Sequence, residues 1–451
     1  MKLFSKNEVE VENTTEGELK VDDNAILALD IGTEYVKAVI AKQKKNTLEV
    51  IGAGRAHQGN ANMYSGAIAD IQGVTAVCEK ALYEAEKEAR VRSKVVVVGI
   101  AGELIKGNTT TVRYRRKDGN KPLTEQEMDL IIKRVQEKAG ERARTEVALE
   151  TNNPDVEVRL INSAIVSLLI DGYKISNPIG FQGSDLTIQF YTAYAPLVHI
   201  SAIEKVCAEM SLDLLAVAVE PFAVCRACLG DEIDSSLSAI VMDIGGGTTD
   251  IAIVDDGGVE GTKMFGVGGR SMTHQIAEGM GVDFNTAEKI KVNMDFLEDS
   301  EIETDKTVGE YTSEGAKAVR ELSRNDVAKL KKSVEKNLEV WMSGVELALE
   351  DFDVAELLPN QILLCGGGAG LSELQEKLAT GDWYKELPFS RRPVVHLLES
   401  ADMPGVKNLT EKKLDHSYAT AFGLLRVGID TLNGAPEKGT IRDKLSKLLQ
   451  N

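Results

Sequence analysis

AIVMDIGGGTTDIAIV, residues 239–254, joins two apolar runs through a turn of three glycines and two threonines. This pattern predicts a β-hairpin whose tip leaves backbone N–H groups uncovered. Glycines remove the Cβ atoms that keep an anion away, and successive N–H groups in such a turn form a nest for phosphate oxygens. Asp243 and Asp250 bracket the nest, and Mg²⁺ prefers one or two carboxylates with water. The alternative is a hairpin that only turns the chain.

The length and charge of the chain limit the classes of protein to consider. Its 451 residues exceed what one hydrophobic core usually supports, so two or more domains are expected. A net charge of −19 argues against a general nucleic-acid binder. No segment approaches the roughly 18 apolar residues of a membrane span, and the N-terminal residues lack the apolar core of a signal peptide. These features, with five scattered cysteines, favour a cytoplasmic protein.

The pattern around residue 243 also occurs early in the chain. Residues 26–31 predict an apolar strand, followed by an Asp-Ile-Gly turn, two more strands and a helix at about 74–90. Residues 239–280 repeat that order. The repeat predicts two similar domains that face each other and hold a nucleotide between their turns.

The rest of the chain predicts a module between the repeats and several helices after them. Residues 93–195 contain strands and one amphipathic helix at 124–140, which predicts a separate α+β module. Residues 361–371, QILLCGGGAGL, read as a strand running into a glycine cluster that suits a flat ligand or its phosphates. Small residues at 417–427 predict a helix that packs tightly against its neighbours. Strands are also predicted at 156–160 and 163–170, and an acidic loop at 298–315.

The two ends of the chain have different compositions. Residues 1–24 are polar with little periodicity, so we expect a disordered tail. Residues 440–451 follow a linker and predict a short basic amphipathic helix. Its apolar face consists of Ile441, Leu445, Leu448 and Leu449. Such an end on an acidic protein favours attachment to an anionic membrane surface, with a helix packed on its own domain or a fraying end as alternatives.

Five motifs occur in a characteristic order. They are DIGT at 30–33, EP at 220–221, DIGGGTTD at 243–250, AEKIK at 287–291 and GGGAG at 366–370. This order resembles the actin and DnaK-type ATPase superfamily, over nearly the whole chain. Within it, the chain is similar to the FtsA family, which anchors FtsZ filaments to the membrane in bacterial cell division. The inserted module, the NPIG turn at 177–180 and the terminal amphipathic helix carry that likeness. The PilM family of pilus-assembly scaffolds is similar in many of the same places.

The resemblance implies an α/β actin-like ATPase fold, in which two RNase H-like domains face a nucleotide cleft. It also implies that the inserted module is an SHS2-like subdomain IC. The implied division is a tail at 1–24, domain I at 25–92, subdomain IC at 93–195, domain I again at 196–235, domain IIA at 236–272, domain IIB at 273–359, domain IIA again at 360–414, a closing helix of domain I at 415–431, a linker at 432–439 and the amphipathic tail at 440–451.

The resemblance implies ATP and Mg²⁺ as cofactors and assigns roles to residues of the motifs. Phosphate contacts are implied for Gly32, Thr33, Lys37, Gly245, Gly246, Gly247, Thr248, Thr249 and Asp250. Asp30 and Asp243 would hold Mg²⁺ through water, and Glu220 would orient the attacking water. Contacts to ribose and adenine are implied for Glu288, Lys291, Gly366, Gly367 and Gly368. Taken singly, Lys37 reads equally as a solvated strand lysine, and Glu288 with Lys291 as a surface ion pair.

The implied function is an ATP-binding scaffold that polymerises on the inner face of the cell membrane, binds FtsZ and has at most slow ATPase activity. The PilM-like alternative is a pilus scaffold that binds a peptide of an inner-membrane protein. A sugar or acetate kinase is disfavoured because no further candidate base is present. Glu34 departs from the family pattern, which usually has a small hydroxyl residue in this turn. A carboxylate near phosphates is unfavourable unless it faces away or binds the metal, so weak nucleotide affinity or hydrolysis is expected.

Overall fold

The computed structural model describes residues 19–45, 47–59, 61–175, 177–229, 237–297, 317, 319–352 and 357–433. The predicted acidic loop at 298–315, the linker from residue 434 onward and the amphipathic tail at 440–451 lie outside these described residues. Within them, no helix combines the length and the apolar character that crossing a membrane would require.

The secondary structure alternates strands and helices along most of the chain. The strands are β1 (Ala25–Ile31), β2 (Tyr35–Lys44), β3 (Thr47–His57), β4 (Met63–Tyr64), β5 (Ala67–Ile68), β6 (Val95–Ile100), β7 (Lys106–Arg115), β8 (Val158–Ile170), β9 (Tyr173–Lys174), β10 (Asp185–Pro196), β11 (Asp213–Val219), β12 (Ala239–Ile244), β13 (Thr249–Asp255), β14 (Gly258–Phe265), β15 (Gln361–Cys365), β16 (Val394–Leu397) and β17 (Val406–Asn408). The α-helices are α1 (Ile71–Ala89), α2 (Glu125–Thr151), α3 (Leu197–Glu209), α4 (Glu220–Leu229), α5 (Gly269–Met280), α6 (Phe284–Val292), α7 (Arg324–Glu350), α8 (Ser372–Thr380) and α9 (Ala419–Asn433).

The first sheet has the strand order β11-β6-β1-β2-β3-β17. β1 pairs antiparallel with β2 and parallel with β6, and β11 runs parallel to β6. The carboxyl ends of β1, β6 and β11 therefore lie at the same edge of the sheet, where ligands bind in open α/β folds. The predicted repeat is present, since β12, β13, β14 and α5 follow the same order as β1, β2, β3 and α1.

The second sheet has the order β16-β15-β12-β13-β14-β7-β10-β8-β9 and joins the second domain to the inserted module. The junction is short, with Gly261 opposite Asn108 and Thr262 opposite Gly107. A Cβ atom on Gly107 would lie 2.0 Å from Thr262 Oγ1, so the close approach requires glycine there. The Thr109 hydroxyl adds a hydrogen bond to the Val259 carbonyl at 2.7 Å. The module is thus inserted in the first domain by sequence but continues the sheet of the second.

Apolar side chains form a separate cluster in each part of the molecule. One cluster fills the first domain and includes α9, a second lies between α5, α7 and β12 to β15, and a third lies between α2 and the sheet of the inserted module. The apolar strands and the helix faces read from the sequence supply these clusters. The first cluster also includes Val241 of β12, Ala252 of β13 and Leu363 of β15, so the two domains share apolar packing beside the cleft.

Three local predictions differ from the structure. The strands predicted at 156–160 and 163–170 are one strand, β8, because the buried Asn162 interrupts the apolar pattern without ending the strand. Its side-chain oxygen accepts a hydrogen bond from the Val219 N–H at 2.8 Å. Residues 1–18 of the predicted disordered tail lie outside the described residues, and Val21, which was predicted to belong to that tail, forms a β-bridge with Arg92. Residues 432 and 433, which were predicted to begin the linker, belong to α9.

The closing helix α9 packs closely against α4, as its small residues predicted. A Cβ atom on Gly423 would lie 2.1 Å from the carbonyl oxygen of Ala223. Glycine at this position therefore lets two helix backbones approach each other without intervening side chains. The contact matters for the cleft because Glu220 is the first residue of α4.

We expect Gly423→Ala to lower the free energy of unfolding by about 1–3 kcal/mol, because the added methyl group has no space unless α4 moves. Urea denaturation of the nucleotide-free protein measures this change. The matched control is Gly367→Ala, where a Cβ atom meets no heavy atom within 4 Å. The control should change stability by less than about 0.5 kcal/mol. Equal stability of the two variants would contradict close packing of α4 and α9.

Candidate functional site

A cleft of about 570 Å³ lies between the two domains and receives the turns that follow β1 and β12. This volume is within the range of roughly 300–1,000 Å³ that is common for small-molecule sites. Residues predicted to bind nucleotide or metal that line the cleft are Asp30, Gly32, Thr33, Lys37, Glu220, Asp243, Gly245, Gly246, Thr248, Asp250, Glu288, Lys291, Gly366, Gly367 and Gly368. The structure therefore brings together motifs that are far apart in the sequence.

The two glycine turns lie against each other across the cleft. A Cβ atom on Gly246 would lie 2.8 Å from Glu34 Cβ, and one on Gly247 would lie 2.7 Å from Thr33 Oγ1. Any larger residue would push the turns apart. Glycine at these positions thus keeps two sets of backbone N–H groups close enough to contact the same anion.

Two predicted phosphate residues, Thr249 and Gly247, are not among the cleft walls. Thr249 is fully buried, donates its hydroxyl hydrogen to the Val267 carbonyl at 2.7 Å, and accepts a hydrogen bond from Trp341 Nε1 at 2.9 Å. Side chains alternate along a strand, so Thr248 and Asp250 share one face while Thr249 points to the other. Thr249 therefore ties β13 to the core of the second domain. Gly247 packs on Thr33 instead.

Buried carboxyl groups of both domains converge on one lysine in the cleft. Burial, followed by the charges of Asp30, Asp250 and Asp243, raises the pKa of Glu220 well above its usual value. Burial and the neighbouring carboxylates likewise raise the pKa values of Asp250 and Asp243. The counter-charge is Lys37, whose Nζ lies 3.0 Å from Asp30 Oδ2. The cluster therefore carries more negative than positive charge when its carboxyl groups are ionised.

Lys37 is a buried charged group rather than a solvated strand lysine. Its side chain is 12% exposed. Burial alone would lower its pKa, but the Asp30 carboxylate outweighs burial and the pKa of Lys37 is raised. Lys37 therefore remains protonated and presents its charge to the cleft.

Strand register places Lys37 in a row of charged residues. Lys37 lies opposite Asp30 on β1 and opposite Arg55 on β3. Side chains directly opposite each other lie on the same face of a sheet, so these three face the cleft together. The Arg55 guanidinium stacks on the Tyr35 ring, 3.5 Å from its centroid. The sequence did not predict Arg55 as a site residue, because its nearness to Lys37 follows from strand pairing.

The donor set fits a hydrated Mg²⁺ that also contacts phosphate. Among the described residues no cluster of three or more side chains has the geometry to ligate a metal directly. Excess carboxylate charge nevertheless faces the cleft, and the Asp250 Oδ1 atom is buried without a hydrogen-bond partner in the described part of the chain. Mg²⁺ keeps several of its waters and takes phosphate oxygens as further ligands. Asp30 and Asp243 are therefore suitable as ligands through water.

Asp243 is also held from the closing helix. The Thr420 hydroxyl donates a hydrogen bond to Asp243 Oδ2. Thr420 lies on α9, so this bond connects the first domain to the Asp243 side of the cleft. The sequence gave no signal for Thr420, because a threonine in an apolar helix does not by itself indicate a site.

The end of the cleft assigned to the nucleoside contains a buried ion pair. Lys291 is 7% exposed, and its Nζ donates to Glu288 Oε2 at 2.8 Å, Thr273 Oγ1 at 2.9 Å and the Gly269 carbonyl at 3.1 Å. These bonds exclude the alternative interpretation of Glu288 and Lys291 as a surface ion pair. On the opposite wall, Gly367 has open space where a Cβ atom would be. The two walls thus suit a flat ring with polar groups at its edge.

Glu34 connects the two domains at the cleft instead of acting only as a repulsive charge. Its Oε2 pairs with Arg270 Nε, and its Oε1 lies 2.8 Å from His57 Nε2. Arg270 belongs to α5 of the second domain. The predicted electrostatic cost of a carboxylate in this turn is therefore offset by a guanidinium that sequence spacing could not place there.

Comparisons with known proteins agree with this architecture. Residues 240–433 match the family described as FtsA, cell division protein FtsA. FtsA of Pseudomonas aeruginosa is 26% identical over 411 residues, which cover 90% of this chain and 89% of that protein. FtsA of Escherichia coli is 25% identical over 428 residues, which cover 92% and 93%. A solved chain of the PilM-PilN type IV pilus biogenesis complex aligns over 90% of this chain and 98% of its own, with 17% identity and a TM-score of 0.61. The fold is therefore the actin-like ATPase fold, and the chain is similar to the FtsA-type cell division proteins over most of its length.

Proposed function

We propose that this protein is an ATP-binding, actin-like scaffold that polymerises at the cytoplasmic face of the cell membrane and anchors FtsZ during division. The observation that carries the proposal is the cleft in which two glycine turns from different domains meet beside the Asp30, Lys37 and Asp243 cluster. That arrangement suits a nucleotide polyphosphate with its metal ion, and the similarity to FtsA proteins supplies the cellular context.

The polyphosphate would be bound by the N–H groups of the turns at 32–33 and 245–248. Lys37 would add a point charge that balances the phosphates. Asp30 and Asp243 would hold the waters of Mg²⁺, which when bound neutralises the negative charge of both the phosphates and the carboxyl groups. A bound cation would also reduce the repulsion among the buried carboxyl groups.

Glu220 is the candidate for orienting an attacking water. It begins α4 at the edge of the first sheet and lines the cleft beside the phosphate turns. Burial, and after it the charges of the neighbouring carboxylates, raises the pKa of Glu220. A cation bound near Asp30 and Asp243 would counter the effect of those charges and so favour the carboxylate form. Hydrolysis is expected to be slow at most, because binding and charge neutralisation do not by themselves position the water.

At the other end, Glu288 and Lys291 would meet the ribose and the edge of the adenine ring. Their hydrogen bonds to Thr273 and to the start of α5 hold both side chains in one orientation before a ligand arrives. Such prior ordering lowers the entropic cost of binding. Gly366, Gly367 and Gly368 would let the ring approach the opposite backbone.

A division scaffold is favoured over a pilus scaffold. The relatives with detectable sequence similarity over most of the chain are division proteins, with 25–26% identity in the P. aeruginosa and E. coli examples. The likeness to PilM has 17% identity and extends to the fold alone. A peptide of an inner-membrane pilus protein is therefore the second candidate partner.

Vesicle flotation with the full chain tests the membrane and partner assignments. The full chain should float with vesicles that contain anionic lipid and should bring FtsZ with it. Deletion of residues 440–451, or the paired change Leu445→Ser and Leu448→Ser, should abolish flotation while the protein still binds nucleotide. Lys444→Gln is the control that keeps the apolar face.

The full chain and its tail variants also test polymerisation and binding to an inner-membrane pilus protein. High-speed pelleting should depend on Mg-ATP. Flotation that is equally strong after the deletion would contradict membrane attachment by the tail. Recovery of an inner-membrane pilus protein without FtsZ would replace the division assignment with the pilus assignment.

A further inference from the structure

A second cavity lies behind Glu220, inside the first domain. Its volume is about 20 Å³. The walls are formed by the ends of β1 and β6, the short β4–β5 hairpin, α3 and the start of α4. Most of the lining is apolar, as at Ile31, Ile100 and Ile203, and the titratable side chains that reach it are His199 and Glu220.

His199 is one of the residues that line this cavity. It lies in the first turn of α3, and its Nδ1 is buried without a hydrogen-bond partner among the described residues. Burial also lowers the pKa of His199, so the imidazole is neutral at physiological pH. Buried polar atoms without a partner are rare in folded proteins and usually mark an ordered water.

Glu220 separates the cavity from the nucleotide cleft, since it lines both. Its carboxyl group lies over Gly99, where a Cβ atom would be 3.0 Å from Glu220 Oε1. A side chain at residue 99 would therefore crowd the carboxyl group. The glycine leaves Glu220 in a position to contact the cavity on one side and the cleft on the other.

The cavity has the size and the polar groups for one water. A cavity holds a water molecule when it has roughly 10–15 Å³ of space for the water and at least two polar partners. A neutral imidazole either donates or accepts at Nδ1, and a carboxyl group accepts or donates according to its protonation. Water can satisfy every combination of these states, so the link does not depend on the tautomer of His199.

We propose that one water in this cavity links His199 Nδ1 to the Glu220 carboxyl group, and that His199 is a positioning residue for Glu220. The water engages one carboxyl oxygen from the side away from the cleft. The other oxygen then remains directed at the position where an attacking water would be oriented. The structural link is independent of the proposed function, whereas its effect on hydrolysis rests on that function.

The link is tested directly by a high-resolution crystal structure of the nucleotide-free protein. We expect one ordered water at about 2.6–3.2 Å from both His199 Nδ1 and a Glu220 carboxyl oxygen. The water should be absent in His199→Leu and retained in His199→Asn, because the asparagine amide places a polar atom near the position of Nδ1. A wild-type cavity without water, or a water that contacts only one of the two residues, would overturn the proposal.

A double-mutant cycle tests the same link in solution without nucleotide. His199→Leu should cost less stability in a Glu220→Ala background than in the wild type, because the water has already lost one partner. Urea denaturation measures the four proteins. Val198→Ala is the control, since this neighbour on α3 is 70% exposed, and its effect should be the same in both backgrounds. Strictly additive effects of His199→Leu and Glu220→Ala would count against the link.

The consequence for hydrolysis is tested by measuring the affinity for Mg-ATP and the rate of hydrolysis separately. If the wild type hydrolyses ATP, His199→Leu should leave the Kd for Mg-ATP within about twofold and slow single-turnover hydrolysis roughly ten- to a hundredfold. His199→Asn should restore most of the rate. An unchanged rate in His199→Leu would overturn the positioning role. If the wild type binds no nucleotide, the proposed function fails, while the crystal structure and the cycle still decide whether the water link exists.

Discussion

Asp243→Asn should weaken Mg-ATP binding on the order of 100-fold, as expected when a group that orients metal-bound water loses its charge. The same change should stabilise the nucleotide-free protein, because it removes one buried charge from a cluster of repelling carboxyl groups. Asparagine keeps the shape of the side chain and still accepts the hydrogen bond from Thr420. Weaker binding together with a more stable fold is a combination that simple misfolding cannot produce.

The stability gain of Asp243→Asn should depend on pH in a defined direction. Burial raises the pKa of Asp243 above its usual value of 3.8. A carboxyl group with a raised folded-state pKa contributes stability that is full below the unfolded-state pKa and is lost as pH rises through the folded-state pKa. Asp243→Asn does not lose stability in this way as pH rises. Its free energy of unfolding should therefore equal that of the wild type at low pH and exceed it increasingly toward neutral pH.

Calorimetry for binding and urea denaturation across the acidic range measure the two effects. Asp185→Asn is the matched control, because this aspartate is exposed on the inserted module and 64% of its side chain is accessible. The control should change neither property. Wild-type affinity in Asp243→Asn, or a loss of stability that is independent of pH, would contradict the role assigned to Asp243.

Lys37→Met should lower the free energy of unfolding of the nucleotide-free protein by about 3–5 kcal/mol, the usual cost of removing one partner of a buried ion pair. Asp30 would lose its counter-ion at 3.0 Å, and Glu220 and Asp243 would lose a nearby positive charge. Adding Asp30→Asn to the variant should restore part of the stability, because the unpaired charge is then absent.

Lys42→Met on the same strand is the control for Lys37→Met. Lys42 pairs with Asp22 at the surface, with a side chain that is 36% exposed. Surface pairs contribute up to about 1 kcal/mol, so the control should change stability little. If Lys37→Met and Lys42→Met were equally stable, Lys37 would not stabilise the buried carboxyl groups as predicted.

The features that sequence could predict are those carried by local pattern. Apolar strands, glycine turns and the repeated Asp-Ile-Gly predicted the two facing domains and the glycine turns that meet at the cleft. Each of these signals lies within one short stretch, because a phosphate turn needs its glycines and its strand in succession. The small residues of α9 likewise predicted its close packing against neighbouring elements.

The features that sequence could not predict depend on contacts between distant segments. Arg55 lines the cleft because of strand register, and Arg270 reaches Glu34 because of the placement of the two domains. Neither arginine belongs to a recognisable motif. The pairing of β7 with β14, which attaches the inserted module to the second domain, involves two register positions in otherwise ordinary strands. Thr249 was assigned to phosphate because it lies within the glycine turn, whereas strand alternation turns it into the core.

The measurement that bears most directly on the cleft is a calorimetric titration of ATP into the full chain, once with Mg²⁺ and once with the metal chelated. Excess carboxylate charge around Lys37 predicts saturable binding of one nucleotide per chain that is strong with Mg²⁺ and much weaker without it. Absence of binding in the presence of Mg²⁺, or equal affinity with and without the metal, would contradict the assignment of the cleft as a Mg-ATP site.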